Sequence, residues 1–139
     1  MFIASCEGPM GPPGPPGPDG YPGDANWKVI NIDIDKWELD PQGGYFFARV
    51  DVPELTNFIF TDGIVLAYHE TVVNSNNSYK TPLPYTRYNI EVVPGEPDYL
   101  WSELIDFTFT PGQATFYSNS SNFITFEPDP IYLTLVLFW

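Results

Sequence analysis

Tyr99-Leu100-Trp101-Ser102-Glu103-Leu104-Ile105-Asp106-Phe107-Thr108-Phe109-Thr110, then Pro111-Gly112, then Gln113-Ala114-Thr115-Phe116-Tyr117, is the stretch that decides the fold. Trp101, Ile105, Phe107 and Phe109 recur at every second place and share a face, which only Glu103 interrupts. A period of two with this many rings and branched side chains predicts a half-buried strand. Proline followed by glycine fits the two central positions of a type II turn, so residues 113–117 return antiparallel.

The same pattern spreads outward from this hairpin. On the N-terminal side, Tyr85 to Val93 reads as a strand that stops at Pro94-Gly95, and Pro82 and Pro84 keep the preceding residues off any central ladder. Ile64 to Val73 is a strand and Asn74 to Ser78 a loop, while Pro53 to Phe60 suits one short helical turn ended by Asp62-Gly63. Tyr45 to Val52 places Phe46, Ala48, Val50 and Val52 on one face. It is expected to form a hairpin with Trp27 to Asp35, where Ile30, Ile32 and Ile34 alternate with polar residues, across the turn Asp40 to Gly44. On the C-terminal side come a loop (Ser118 to Asn122), a short strand (Phe123 to Phe126) and a break at Glu127-Pro128-Asp129-Pro130. Ile131 to Trp139 closes the chain. It is apolar on both faces apart from Thr134, which predicts a central strand covered on both sides. Seven to eight strands at this spacing predict an all-β, antiparallel β-sandwich over residues 26–139, immunoglobulin-like or jelly-roll-like. The Cys…Trp…Cys spacing of true immunoglobulin domains is absent.

Ahead of the sandwich the period is three. Glycine stands at 8, 11, 14, 17, 20 and 23 among prolines, a collagen-like run over residues 8–25. As a single chain it is an extended polyproline II rod of roughly 55 Å; as three chains it would wind into a triple helix. Six triplets are few for the latter, especially if the prolines are not hydroxylated, so a monomeric spacer is expected, with a homotrimer nucleated by the head as the alternative. Totals restrict the partners. Eighteen acids against five Lys and Arg give a net charge of −13, which repels nucleic acid and anionic lipid surfaces. Eleven Phe, nine Tyr and four Trp require a packed head, and one cysteine leaves it without disulfides.

That cysteine lies in residues 1–7. Ile3-Ala4-Ser5-Cys6 resembles the lipobox of bacterial lipoproteins, although only Met1-Phe2 precede it where a full leader has an apolar run of about 7–15 residues. The expectation is a leader that extends upstream of Met1. With the triplets through Ala25 and a β-rich head, the chain resembles small envelope lipoproteins of Bacteroidales-type bacteria, many of which carry short collagen-like spacers after the lipidated cysteine. The resemblance implies lipidation of Cys6, membrane attachment through it and an outer-membrane location, and it leaves activity open.

No chemistry is announced. G-x-S-x-G elbows, phosphate loops and H-E-x-x-H pairs are absent, and no cofactor is expected. His69, the only histidine, sits inside a regular strand and is read as structural. Asp33 and Asp35 alternate onto one strand face about 7 Å apart. That spacing would suit a carboxylate hydrolase or a cation, but a solvated face opposite the isoleucines accounts for it more simply. Glu96 and Asp98 form a second acidic pair in a turn. Tyr45, Phe47, Tyr85, Tyr88, Tyr99 and Tyr117 are the candidate binding residues. Rings beside Asn, Asp and Glu suit a pyranose, whose apolar face they cover while its hydroxyls are hydrogen-bonded, and they suit a protein ligand equally. The expected function is therefore a non-enzymatic binding head, lipid-anchored on a short stalk.

Overall fold

The computed structural model describes residues 8, 10–19, 23–122 and 127–139. Cys6 with the rest of the lipobox, and the short strand expected at 123–126, lie outside them. Two antiparallel sheets face each other. One has four strands in the order β1 (Trp27–Ile34), β9 (Ile131–Phe138), β4 (Ile64–Asn74) and β5 (Asn77–Pro82). The other has five, in the order β2 (Glu38–Leu39), β3 (Phe46–Asp51), β8 (Gln113–Ser120), β7 (Tyr99–Thr110) and β6 (Tyr85–Glu91). The chain is the all-β sandwich that its alternation predicts. Its strand order is not the immunoglobulin one, in which the first two strands are neighbours. Instead β1 closes on β9 and β3 on β8, two nested pairings of the jelly-roll kind, and β4–β5 and β6–β7 are plain hairpins.

The core lies between the sheets. Leu133, Leu135 and Leu137 of β9 face Phe116 and Ala114 of β8 and Ile105 of β7, all fully or nearly fully buried. Phe107 and Phe116 are paired in register, and their rings stack with centroids 6.0 Å apart. The β7–β8 turn forms as its sequence demands, Gly112 taking φ +82. It also holds the crossing loop, since Gly112 accepts from Val52 N–H (2.8 Å) and donates to Leu55 C=O (2.7 Å). Val52 and Leu55 are thereby driven into the core.

Several expectations are corrected. The hairpin across Asp40–Gly44 forms only between β3 and the two-residue β2, and not with β1: Trp37, buried at the corner, carries the chain to the opposite sheet, so β3 also finds β8 and β1 finds β9. The short helix α1 (Asn57–Asp62) starts four residues after Pro53, because Thr56 is the residue that caps it, its Oγ1 accepting from Ile59 N–H at 3.2 Å. β5 occupies residues read as a loop and a break; it is an exposed, polar edge strand and so carries no apolar alternation. β8 runs on to Ser120. Finally, β9 is central but is covered on one face only, as Tyr132 is 50% and Phe138 38% exposed.

Phe116→Ala removes a fully buried ring from the middle of this packing. It should lower unfolding free energy by about 3–5 kcal/mol in urea titrations. A loss under about 1 kcal/mol would mean the two sheets do not pack here as described.

Candidate functional site

The outer face of the five-stranded sheet brings three of the six candidate rings together. Tyr45, just before β3, meets Tyr117 of β8 edge to face, with centroids 5.7 Å apart and ring planes at 66°. Phe47 stands 6.4 Å from Tyr45, and the Arg49 guanidinium lies 4.8 Å above the Phe47 ring. Strand register explains the gathering: Phe47 is directly opposite Tyr117, and Arg49 opposite Thr115. The rings wall a groove of about 510 Å³ whose remaining lining includes Glu38, Asp40, Gln113 and Thr108. The Tyr117 hydroxyl is 3.1 Å from Thr108 Oγ1. The Tyr45 phenol is held above its ordinary pKa, chiefly by the neighbouring Asp40 carboxylate, with a further contribution from desolvation. Gly43 makes room for the ring, because a Cβ there would lie 2.0 Å from Tyr45 Cε1.

The other three rings lie elsewhere. Tyr85 is not outward; it turns between the sheets and stacks on His69, centroids 5.7 Å apart. Tyr88 is 84% exposed on the outer face of the edge strand β6, and Tyr99 begins β7 beside the exposed turn holding Glu96 and Asp98. Asp33 and Asp35 do not form a pair on one strand face. Asp33 is paired in register with Tyr132, whereas Asp35 lies beyond the end of β1. Among the described residues no three His, Cys, Asp or Glu side chains converge to hold a metal ion.

A second cleft, of about 200 Å³, opens between the sheets and is lined by Trp101, Phe46, Arg87, Glu103, Ser118 and Glu127 among others. Glu103, the lone interruption in the longest alternation, is at its centre. It is 4% exposed; its Oε2 accepts from Arg87 Nε at 2.6 Å and its Oε1 from Ser118 Oγ at 2.7 Å. Arg87 is its register partner on β6. An inward carboxylate in an apolar alternation needs such partners, and that is the sequence signal that could have located this cleft. Breaking the pair would leave a buried charge unanswered, so the cluster is accounted for as structure that closes one end of the sandwich. The cleft is smaller than the 300 Å³ or so at which ligand pockets usually begin.

His69 faces the same interior from β4. It is 7% exposed, and its Nδ1 has no hydrogen-bond partner among the described residues. Burial lowers its pKa below the usual 6.5, assisted by the nearby Arg87 charge and opposed by Glu103. A histidine kept neutral and stacked on a tyrosine serves packing; no nucleophile is hydrogen-bonded to it here.

Comparison of the chain with protein-family models, with curated proteins and with solved structures found no match to any of them.

The depressed His69 pKa has a sign that can be checked. As pH falls through 6.5 the unfolded chain binds a proton that the folded chain refuses, so stability present above 6.5 is lost until the lower folded pKa is passed. Melting curves from about pH 7.5 to about pH 5 should therefore show wild type losing more stability than His69→Gln. Equal losses in the two proteins would reject the buried neutral imidazole.

Proposed function

We propose that this chain is a lipid-anchored, non-enzymatic recognition protein that takes a glycan in the groove on the outer face of its five-stranded sheet. The observation that carries the proposal is the convergence of Tyr45, Phe47 and Tyr117 with Asp40, Glu38, Gln113 and Arg49 around one notch. Aromatic carbon covers the apolar face of a sugar ring, and the carboxylates, amide and guanidinium take its hydroxyls. Ring planes meeting at 66° make a corner, not a platform, which fits the end of a glycan or a single sugar better than a long chain lying flat. Among the described residues Arg49 is the only cation lining the groove, so the sugar is neutral or carries a single acid beside it. Cys6 supplies the anchor through its lipobox-like context, and the glycine triplets space the head from the membrane.

A glycan array probed with the chain should return sugars bound through this notch, and calorimetric titration of a hit should weaken at least tenfold with Tyr117→Ala or Phe47→Ala. Tyr88→Ala, on the edge strand, should leave the affinity unchanged. An array without hits, or equal weakening by Tyr88→Ala, would sink the sugar reading; capture of one protein through Tyr117 would transfer the groove to a protein ligand. The anchor is tested separately. Cells grown with an alkyne fatty acid should label the protein, and Cys6→Ser should abolish the label; an unlabelled wild type would remove the anchor and leave the groove untouched.

A further inference from the structure

We infer that the outer face of the four-stranded sheet is where three copies of this chain meet, with the glycine triplets wound as a triple helix beneath them.

The first observation concerns glycine. Residues 10–19 are exposed and form no regular hydrogen-bonded structure in the single chain. A Cβ placed on Gly11, Gly14 or Gly17 would meet nothing within 4 Å, and none of these residues has a positive φ. In one chain neither space nor backbone conformation asks for glycine there, and a proline-rich spacer would be as stiff without it. The demand appears only when three chains wind together, because every third residue then lies on a crowded axis that admits no side chain.

The second observation is on the head. Trp27, Phe138 and Ile64 are opposite one another across β1, β9 and β4, and Val29, Val136 and Leu66 form the next row. Residues opposite in register share a face, so these six make one continuous apolar patch on the outside of the sheet. Trp27 is 65%, Ile64 60%, Val29 44% and Leu66 40% exposed. The following rows turn polar: Asn31, Thr134 and Tyr68, then Asp33, Tyr132 and Glu70. Lys80 donates to Thr134 Oγ1 at 2.7 Å and lies 4.0 Å from Glu70, so this polar half is already satisfied. Tyr132 and Val72 are exposed on that half too, but only the half nearest the stalk presents consecutive rows that are wholly apolar.

Position joins the two observations. The patch starts at Trp27, directly after the stalk, where Asn26 and Trp139 exchange backbone hydrogen bonds of 2.8 and 2.9 Å. Three stalks wound on one axis would bring their heads together at this end, patch against patch. The apolar doubling of β9 is then explained, its second face being covered by the neighbouring copies. A bilayer is the rival occupant, but the rod stands between the patch and any lipid on Cys6. The β6–β7 hairpin also exposes apolar side chains, Ile90 and Leu100 among them, at the end of the sandwich away from the stalk, where a stalk-driven assembly would not place its contacts.

Sedimentation equilibrium of the full chain with Cys6→Ser, at micromolar concentration, should give a mass three times that of the 15.7 kDa chain. Leu66→Glu should raise the trimer dissociation constant at least tenfold, and Leu100→Glu should not change it. If Leu66→Glu loses its near-ultraviolet circular dichroism, Val29→Glu on the outer strand of the same patch takes its place. Gly14→Ala should lower the melting temperature of a collagen-type circular dichroism signal without unfolding the head. A monomeric or dimeric wild type overturns the inference. So does a trimer that survives both patch variants, and so does patch-dependent binding to neutral phosphatidylcholine vesicles by a monomer.

Discussion

The register of β9 between β1 and β4 is the constraint from which the rest of the molecule follows. Setting Leu133, Leu135 and Leu137 inward commits Tyr132, Thr134, Val136 and Phe138 to the opposite face. A slip of one residue would exchange the two sets and empty the core, so the pairing is strongly specified. That register also lays the last strand beside the first. Chain entry and chain end thus meet at one end of the sandwich, tied by the Asn26–Trp139 hydrogen bonds, and the stalk leaves from that end alone.

With the sheets so placed, the interior divides along its length. Toward the stalk it is dry, closed by Val52, Leu55 and Ile59 from the crossing loop and α1. Away from the stalk it becomes polar, with Arg87, Glu103 and Ser118 bonded together on the five-stranded sheet and His69 on the four-stranded sheet. The Glu103–Arg87 contact is short, and Glu103 is nearly out of water, yet its net contribution to stability is small: desolvation of both charges offsets most of their attraction. What such a pair supplies is a strong penalty for any other pairing of β6 with β7. An adjacent alternative register would face Glu103 with an apolar or uncharged residue.

Most of the strands were legible in the sequence because alternation reports directly on a sheet with one wet face. β1, β3, β4, β6, β7 and β8 are all of this kind. Strand partnership was not legible, since Ile30, Ile32 and Ile34 announce an inward face without saying which strand lies alongside. Trp37 is the residue that overrules the simple hairpin, and nothing in its neighbours announces a corner. β5 was invisible for the opposite reason: an edge strand is kept polar, and its sequence reads as loop. Of the candidate rings, Tyr45 and Phe47 were found by their outward parity, and Tyr117 only by its nearness to a turn. Tyr85 failed because its strand follows two prolines and its parity could not be anchored to a core position. The inward cleft was written plainly in Glu103, but one charge in an apolar alternation gives no indication of its partner.

The two faces of the sandwich are chemically unequal in a way that fits an axis on one side and display on the other. Six triplets alone give a triple helix too short to hold three separate chains, as the loss of chain freedom outweighs so few turns. A head that self-associates changes this balance, because tethered stalks experience effective concentrations on the order of millimolar. Charge opposes the association: three copies carry three times −13. None of that charge lies on the six residues of the patch, however, and separations beyond about 8 Å are screened at physiological salt. Apolar contact near such an axis would therefore act at short range, while repulsion would act weakly at long range. In the trimer inferred above the five-stranded sheets, with their ring-lined grooves, would be turned outward on three sides, so a weak sugar contact of the kind proposed would be repeated three times on a common stalk.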